Sequence, residues 1–355
     1  MSYEISLLQP TVFMGLIERF KAPEELTLLN RVPTTNHPFP TASWEITRGS
    51  RTIAEFNVPN SEANIVDSTG RSAKTEAFAY IREKKVFSPT TMYWLREAAR
   101  NVGDYARISA EAKVLEEVAD LNRRLDNRAE WMLWQSLTGK LDIQVKGGAI
   151  NTVDYGFRPD HFQDVQQSWA TATPIQIIKD IRAVKKVVER HSGVKPTDAF
   201  TTEDTLDYVF DAWATGGVDA QGDNKATGAY LTDAMKTQYY ASGTLPNFMG
   251  LNWSIQSSVY DATGAGYTEN PTEPWEEEKF LGENKVVVGN FTANRPIELM
   301  QGPTADFAAP QGFTGKFSKT SEEFDPSARQ ALIEWHLLPV ITQPDQFAVI
   351  KNVTG

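Results

Sequence analysis

The clearest alternation of apolar and polar residues lies between positions 324 and 353, where it predicts two strands of different burial. Every second residue from Ala331 to Leu337 is apolar, which is the period of a strand with one buried face and one mostly polar face. Pro339 and Pro344 are expected to interrupt this pattern, because proline cannot donate to a strand ladder. Phe347–Ile350 is apolar on both faces and predicts a fully buried strand.

The longest helical pattern runs from Asp104 to Thr138. Apolar side chains recur there at helical spacing, while glutamate and arginine side chains occupy the other faces. Asp120 and Arg124 form an i,i+4 pair in the favourable orientation. Gly139 follows, at a position where a left-handed glycine commonly ends a helix. A helix of this length is roughly 50 Å long, which is longer than the average helix in a globular protein.

Shorter helices and strands are predicted over the remaining chain. Two β segments around Gly147-Gly148 give a hairpin signal, and Pro174 opens an amphipathic helix. Further predicted elements are a buried strand at Asp198–Phe200, a helix that begins near Thr202 and runs through Trp213, and strands at 251–259 and 285–291. This mixture indicates an α+β fold.

The first ninety residues contain less material for a local core. Pro10–Phe20 places four apolar side chains on one helical face, and this helix either belongs to the core or forms an arm that packs on a neighbouring subunit. Residues 42–88 predict two strand segments around a long polar excursion, in which Asp67–Glu76 is a polar tract. Because a lone hairpin is marginally stable in water, another chain is a candidate to cover it.

Length and charge narrow the class of protein. At 355 residues the chain exceeds the usual size of a single core, so two or more lobes are expected. A formal charge of −11 repels phosphate backbones and argues against sequence-independent nucleic-acid binding. Zero cysteines exclude disulfides and thiolate metal sites. Neither a signal-peptide pattern nor a run of eighteen apolar residues is found.

No set of residues has the spacing of a known catalytic, cofactor-binding or metal-binding motif. The four histidines, His37, His161, His191 and His336, form no HExxH-type pair. Asp219, Asp223 and Asn224 miss the spacing of a calcium loop, and Trp275 to Glu278 is typical of a solvated charge run. Trp131 and Trp134 lie three apart, which favours a core or subunit seam over a ligand site. We therefore expect no enzyme activity, cofactor or metal ion.

Five short segments give the chain a family resemblance, which covers nearly its whole length. They are Asn127–Met132, Leu137–Lys140, Asp325-Pro326, Leu338–Val340 and Pro344–Phe347. In these segments and in the order of its parts, the chain resembles the major capsid proteins of tailed bacteriophages. Within that group it is similar to the family typified by the lambda major capsid protein (capsid protein E), which has the HK97 fold.

This resemblance implies a division into four parts. Residues 1–40 would be the N-arm, and residues 41–90 an extended E-loop lying over an adjacent subunit. Residues 91–170 and 301–340 would form the P-domain, with its long spine helix at about 104–138. The A-domain would comprise residues 171–300 and 341–355.

The resemblance also implies a function and partners. The chain would self-assemble into hexamers and pentamers of an icosahedral bacteriophage head around packaged double-stranded DNA. Implied partners are further copies of the chain and scaffold, portal and decoration proteins, with no specific nucleic-acid site and no membrane. The implied location is the virion, after assembly in the host cytoplasm. Two alternatives are an encapsulin-like nanocompartment shell and a soluble carboxylate-dependent enzyme.

Some relatives with this fold join a loop lysine to an asparagine of a neighbouring subunit by an isopeptide bond. Lys74, Lys84 and Lys85 lie in the corresponding loop region. Lambda-type relatives are generally stabilised by a decoration protein instead, so no crosslink is expected here.

Overall fold

The computed structural model of the chain contains two compact units. It describes residue 17 and residues 20–48, 71–87, 104–144, 150–215, 233–261, 277–291, 295–324 and 327–353. Unit 1 combines Met1–Ala42, Thr75–Leu133 and Glu298–Pro339, and unit 2 combines Ser43–Lys74, Trp134–Ile297 and Val340–Gly355. Residues 134–170, which the resemblance places in the P-domain, thus belong to unit 2.

A five-stranded sheet belongs mainly to unit 1. Its strands are β1 (Thr34–Asn36), β4 (Ala79–Phe87), β14 (Ile297–Gln301), β15 (Phe317–Phe324) and β16 (Ser327–Ile341). The order is β1-β14-β16-β15, and β4 also pairs with β16. β16 runs antiparallel to both β15 and β4, whereas β1 runs parallel to β14. The strand predicted around 331–337 is therefore confirmed, and it pairs with both β15 and β4.

β16 continues through Pro339, so the predicted interruption at this residue is wrong. Its pairing with β15 ends at Glu334 and its pairing with β4 ends at Leu337, so Pro339 lies beyond the residues that donate to these two ladders. The mostly polar face of this strand was expected to be exposed, and this expectation is wrong at Glu334, which is 1% exposed. Pro344 does mark a break, because it opens a 3₁₀ turn (Pro344–Gln346) before the next strand.

The described helices of unit 1 are α1 (Thr27–Arg31) and α2 (Asp104–Leu137), whose last four residues belong to unit 2. α2 matches the predicted long helix to within one residue. Its buried apolar residues follow the predicted spacing and include Val118, Leu121, Leu125 and Ala129. A second stripe was not predicted: three buried polar side chains repeat every four residues, namely Asn122, Asp126 and Glu130.

The polar stripe of α2 is buried because each side chain has a partner within unit 1. The Glu130 carboxylate accepts the backbone N–H groups of Leu28 at 3.0 Å and Leu29 at 2.6 Å, and so caps α1, which has no side-chain cap of its own. Lys316 Nζ lies 2.5 Å from Asp126 Oδ1. Burial raises the pKa of Asp126 and lowers the pKa of Lys316.

A six-stranded sheet forms the centre of unit 2. Its order is β7-β17-β13-β8-β10-β9, with β7 (Phe162–Asp164), β8 (Asp198–Thr201), β9 (Thr244–Phe248), β10 (Leu251–Ile255), β13 (Val286–Gly289) and β17 (Phe347–Lys351). All residues of β8 and β13 are buried, as are the first four of β17. The predicted buried strand at Phe347–Ile350 is confirmed.

Three described helices accompany this sheet: α3 (Pro174–Ser192), α4 (Glu203–Thr215) and α5 (Asp233–Ser242). α3 begins at Pro174, as the sequence predicts, and ends at Gly193, whose φ of 79° is left-handed. The apolar face of α3 and the sheet contribute side chains to one hydrophobic core cluster, which includes Ile177, Ile181, Val184 and Trp253. The predicted α+β lobe is thus present in unit 2.

Three smaller two-stranded sheets complete the described secondary structure. They pair β2 (Thr41–Thr47) with β3 (Arg71–Ala77), β5 (Lys140–Gln144) with β6 (Ile150–Asp154), and β11 (Val259–Asp261) with β12 (Glu277–Lys279).

Two predictions about these smaller elements differ in outcome. The β5-β6 hairpin is confirmed, although its predicted glycine turn at Gly147-Gly148 lies outside the described residues. β3 begins inside the predicted polar tract Asp67–Glu76, so strand structure extends further into the polar excursion than the sequence indicated, while residues 67–70 lie outside the described residues. The predicted helix at Pro10–Phe20 lies outside the described residues except for Ile17 and Phe20.

Candidate functional site: a ribbon anchored on residues 154–156

The β2-β3 ribbon packs one face of β2 against the end of the β5-β6 hairpin. Burial alternates along β2, and Trp44 and Ile46 are 5% and 2% exposed. The Trp44 ring lies 6.4 Å from the Tyr155 ring, measured between centroids. A Cβ at Gly156 would be 3.4 Å from Ile46 Cδ1, and the φ of Gly156 is +70°. A glycine therefore suits the turn that this apolar face covers.

Two cationic side chains from the ribbon also reach the segment 154–156. Arg48, directly after β2, donates from its guanidinium to the Gly156 carbonyl at 2.9 Å. Lys74, in the middle of β3, donates to the Asp154 carbonyl. Asp154 Oδ1 in turn accepts the N–H of Gly156 at 2.7 Å. The ribbon is thus held by apolar packing of one face of β2 and by two cationic side chains that donate hydrogen bonds to backbone carbonyls.

The rest of the ribbon is open to solvent. No residue of β3 is buried, and every second residue of β2 is exposed. Arg71 and Glu45 form an ion pair at 3.3 Å, but their side chains are 66% and 57% exposed. Surface pairs of this kind contribute little stability. An exposed ribbon of this kind is a surface that another chain can cover.

The structure separates two of the four candidate histidines and brings the other two together. His37 is half-buried, and the His336 ring lies edge-on to Tyr80 with centroids 4.5 Å apart. Burial lowers the pKa of His336. His161 Nε2, by contrast, lies 2.8 Å from His191 Nδ1. Sequence reasoning missed this pair because thirty residues separate its members and no local motif joins them.

The candidate lysines and tryptophans have ordinary structural contacts. Lys85 forms an ion pair with Glu117 at 2.5 Å, and Lys84 is exposed on β4. Trp134 is buried, with its ring 5.4 Å from that of Phe200, which agrees with the core assignment. Asp219, Asp223, Asn224, Trp275 and Glu276 lie outside the described residues.

The resemblance to a capsid family is confirmed by comparison with known proteins. A family model described as phage major capsid protein E matches residues 26–352. The chain belongs to this family. Its members are structural capsid proteins, and the matched residues contain the anchored ribbon, α2 and both large sheets. Comparison with curated proteins found no match to this chain.

Two solved structures are similar to the capsid protein over almost its full length. A capsid protein of a prophage from Escherichia coli CFT073 is 15% identical, with a TM-score of 0.61, and the match covers 97% of this chain and 99% of the other. A phage-related protein from Bordetella bronchiseptica RB50 is 10% identical, with a TM-score of 0.51 and 97% coverage of each chain. At these identities the likeness concerns the fold, which is the HK97-type α+β fold that the resemblance implied.

Among the residues that the structure describes, no helix of the capsid protein is both long and apolar enough to span a membrane.

Proposed function

We propose that this phage capsid protein assembles into hexamers and pentamers that close an icosahedral head around packaged double-stranded DNA. The observation that carries the proposal is the β2-β3 ribbon, which is fixed at residues 154–156 and otherwise exposed. The ribbon offers a neighbouring copy the exposed strand β3 and a polar outer face. The protein acts structurally, without catalysis, in the virion after assembly in the host cytoplasm.

The proposed division of labour follows the parts of the fold. Residues 1–40 serve as the N-arm and 41–90 as the E-loop, which lies over an adjacent subunit. Residues 91–170 and 301–340 serve as the P-domain, and residues 171–300 with 341–355 as the A-domain. The long helix α2 supports this scheme as the spine, and the buried strands of unit 2 support an independent core in the A-domain.

Protruding elements suit an assembling protein because they add interface area without enlarging the core. Obligate interfaces commonly bury more than about 2,000 Å². Heterologous contacts between identical chains close into rings when the rotation between neighbours is a whole fraction of a turn. The ribbon supplies such a contact, since its outer face differs from the surface it would cover.

The charge of the chain fits a container for DNA. A net charge of −11 disfavours tight adhesion to phosphate backbones, so packaged DNA stays free to leave. Scaffold, portal and decoration proteins are the proposed partners besides further copies of the chain.

Covalent crosslinks between subunits are not part of this proposal. Lys74 is engaged by the Asp154 carbonyl and Lys85 by Glu117, so two of the three lysines of this region have intramolecular partners. Boiled particles run on a denaturing gel are expected to give a single monomer band. A ladder of covalent multimers would contradict this expectation.

Electron microscopy combined with size-exclusion chromatography tests the proposal. The purified chain is expected to form closed shells or hexamers, and virion-derived particles are expected to hold DNA. Arg48→Met with Lys74→Met should lower the yield of shells while circular dichroism stays unchanged, because the ribbon loses its anchor. Lys84→Met, an exposed lysine on the next strand, is the control. A small stable monomer, or shells that hold a protein cargo, would exclude the proposed function.

A further inference from the structure

His161 and His191 meet within unit 2, each from a different element. His161 ends the 3₁₀ turn Pro159–His161 and is fully buried, and His191 lies in the last turn of α3. Their rings are inclined by only 16°, with centroids 5.0 Å apart. His161 Nε2 and His191 Nδ1 face each other at 2.8 Å. The two inner nitrogens therefore converge on one point.

The outer nitrogens of both rings face fixed acceptors. His161 Nδ1 lies 2.6 Å from the carbonyl oxygen of Phe347, the first residue of β17. A carbonyl only accepts, so this nitrogen carries a hydrogen. His191 Nε2 lies 3.4 Å from Asp160 Oδ2, a charge contact that is longer than an ordinary N–H···O hydrogen bond. The tautomer of His161 is thus set from outside the pair.

His161 therefore presents a lone pair at Nε2, since a neutral imidazole has one N–H and one acceptor nitrogen. His191 Nδ1, 2.8 Å away, can donate a hydrogen to this lone pair. With its hydrogen on Nε2 beside Asp160 instead, His191 presents a second lone pair, and a metal ion held by both inner nitrogens then satisfies the geometry.

We propose that His161 Nε2 and His191 Nδ1 bind one divalent transition-metal ion of the Zn²⁺ type, with the Asp160 carboxylate orienting His191. Water completes the coordination. The site lies apart from the residues that anchor the ribbon. It ties the 3₁₀ turn, the end of α3 and, through the Phe347 carbonyl, the start of β17.

The surroundings of the two rings are those of metal-ligating histidines. Such histidines almost always donate their second N–H to a carboxylate or a backbone carbonyl. His161 has the Phe347 carbonyl as this partner, and His191 Nε2 faces the Asp160 carboxylate at 3.4 Å. Asp160, His161 and His191 each offer a ligand atom within 4.8 Å of the others, so the carboxylate adds negative charge beside the ion. The Asp160 side chain is 47% exposed and that of His191 14%, so an ion can reach the pair from solvent.

Metal binding requires a small movement of the rings. A tetrahedral ion with Zn–N bonds of about 2.0–2.1 Å holds its two nitrogens roughly 3.3 Å apart. The inner nitrogens must therefore separate by about half an ångström. His191 can make this adjustment by rotating its side chain, because it lies in the last turn of α3 and is only partly enclosed.

Equilibrium dialysis of the purified full chain against Zn²⁺ alone, with metal counted by mass spectrometry, tests the proposal. One ion per chain is expected. His191→Gln should weaken binding at least tenfold and Asp160→Asn by about tenfold, the range measured for partners that orient a ligand. His37→Gln and His336→Gln remove the other two histidines of the chain and should leave the site unchanged.

A thermal scan provides a second readout that does not depend on counting ions. Zn²⁺ should raise the unfolding midpoint of the wild type and not that of His191→Gln, because only the native wild type gathers the ligands. Mg²⁺, which prefers oxygen ligands, should have no such effect. His161→Gln is avoided as the sole test, since a buried histidine can be needed for folding. Absence of saturable Zn²⁺ binding, or equal binding by His191→Gln, would overturn the proposal and leave a direct hydrogen bond between the two rings.

Discussion

The phenol of Tyr80 on β4 donates to Glu334 Oε2 on β16 at 2.8 Å. Glu334 is almost fully buried, and the Arg82 guanidinium lies 3.5 Å from the same carboxylate oxygen. A charge on an interior strand residue is tolerated here because a phenol and a guanidinium both face it. The relationship explains why a position expected on a polar strand face is found inside the protein.

Tyr80 is 51% exposed, but its phenol is held by Glu334 and is expected to titrate above an ordinary tyrosine. Burial, followed by its hydrogen bond to Glu334, raises the pKa of Tyr80 from 10.0 to about 12. A raised folded-state pKa stabilises the protein below pH 10, and this stabilisation is lost as the pH rises through about 12. Ultraviolet absorbance titration of wild type minus Tyr80→Phe should therefore show one tyrosine with its midpoint near 12.

The exposed Tyr240 supplies the control for this titration. Tyr240→Phe also removes one tyrosine but leaves Glu334 untouched, since its side chain is 71% exposed and lies in unit 2. A difference titration for Tyr80→Phe centred near pH 10 would show that the phenol does not hold its proton against Glu334.

Lys316→Met is expected to destabilise the protein by about 3–5 kcal/mol, because it leaves the buried Asp126 without its cation. The double variant Lys316→Met with Asp126→Leu should recover most of this loss, since apolar replacements of a buried pair are often neutral. Denaturant unfolding measures both. Lys279→Met is the matched control: its partner Asp204 is 63% exposed, so the expected cost is below about 1 kcal/mol.

Asp306 is expected to govern part of the acid stability of unit 1. The hydrogen bond from Lys319, then that from the Ala308 N–H, lowers the pKa of Asp306 below its ordinary 3.8. A depressed pKa stabilises the fold above pH 3.8, and the contribution is lost as the pH falls through the folded-state value. Thermal melts between neutral pH and pH 3 should show a shallower acid decline for Asp306→Asn. The exposed Asp120→Asn serves as control, and an acid limb identical to wild type in Asp306→Asn would refute the assignment.

Gly302→Ala is expected to destabilise the protein by about 1–3 kcal/mol through overpacking. A Cβ at this position would lie 2.5 Å from Cδ2 of Phe78, and the Gly302 N–H is tied to the His336 carbonyl at 3.0 Å, so the backbone cannot easily withdraw. Phe78→Ala should remove the clash, so the double variant should cost less than the sum of the single ones. Additive costs, measured by denaturant unfolding, would count against this explanation.

Local sequence patterns were sufficient to predict the helices and strands whose signals lie within one short segment. α2 was predicted to within one residue and the start of α3 was predicted at Pro174, since apolar spacing, Pro174 and Gly139 all act over a few positions. The burial of Glu334 and of the polar stripe on α2 was not predicted. Each of those side chains is buried because a group far away in sequence, such as Lys316 for Asp126, hydrogen-bonds or pairs with it.

The same limit applies to the candidate sites. The alternation at Trp44 and Ile46 indicated a strand, but its docking on Tyr155 and Gly156 depends on residues about 110 positions away. The convergence of His161 and His191 likewise depends on where α3 ends beside the 3₁₀ turn. Family resemblance supplied the fold, whereas neither site could be found from spacing.

The cap that Glu130 places on α1 sets an order of events during folding. α1 has five residues, far fewer than the roughly 12–15 an isolated helix needs, and its first N–H groups depend on a carboxylate 102 positions further along the chain. This turn can persist only after α2 has been synthesised as far as Glu130 and has docked. The amides of Leu28 and Leu29 therefore become protected late, and they report when the amino-terminal segment has joined the finished subunit.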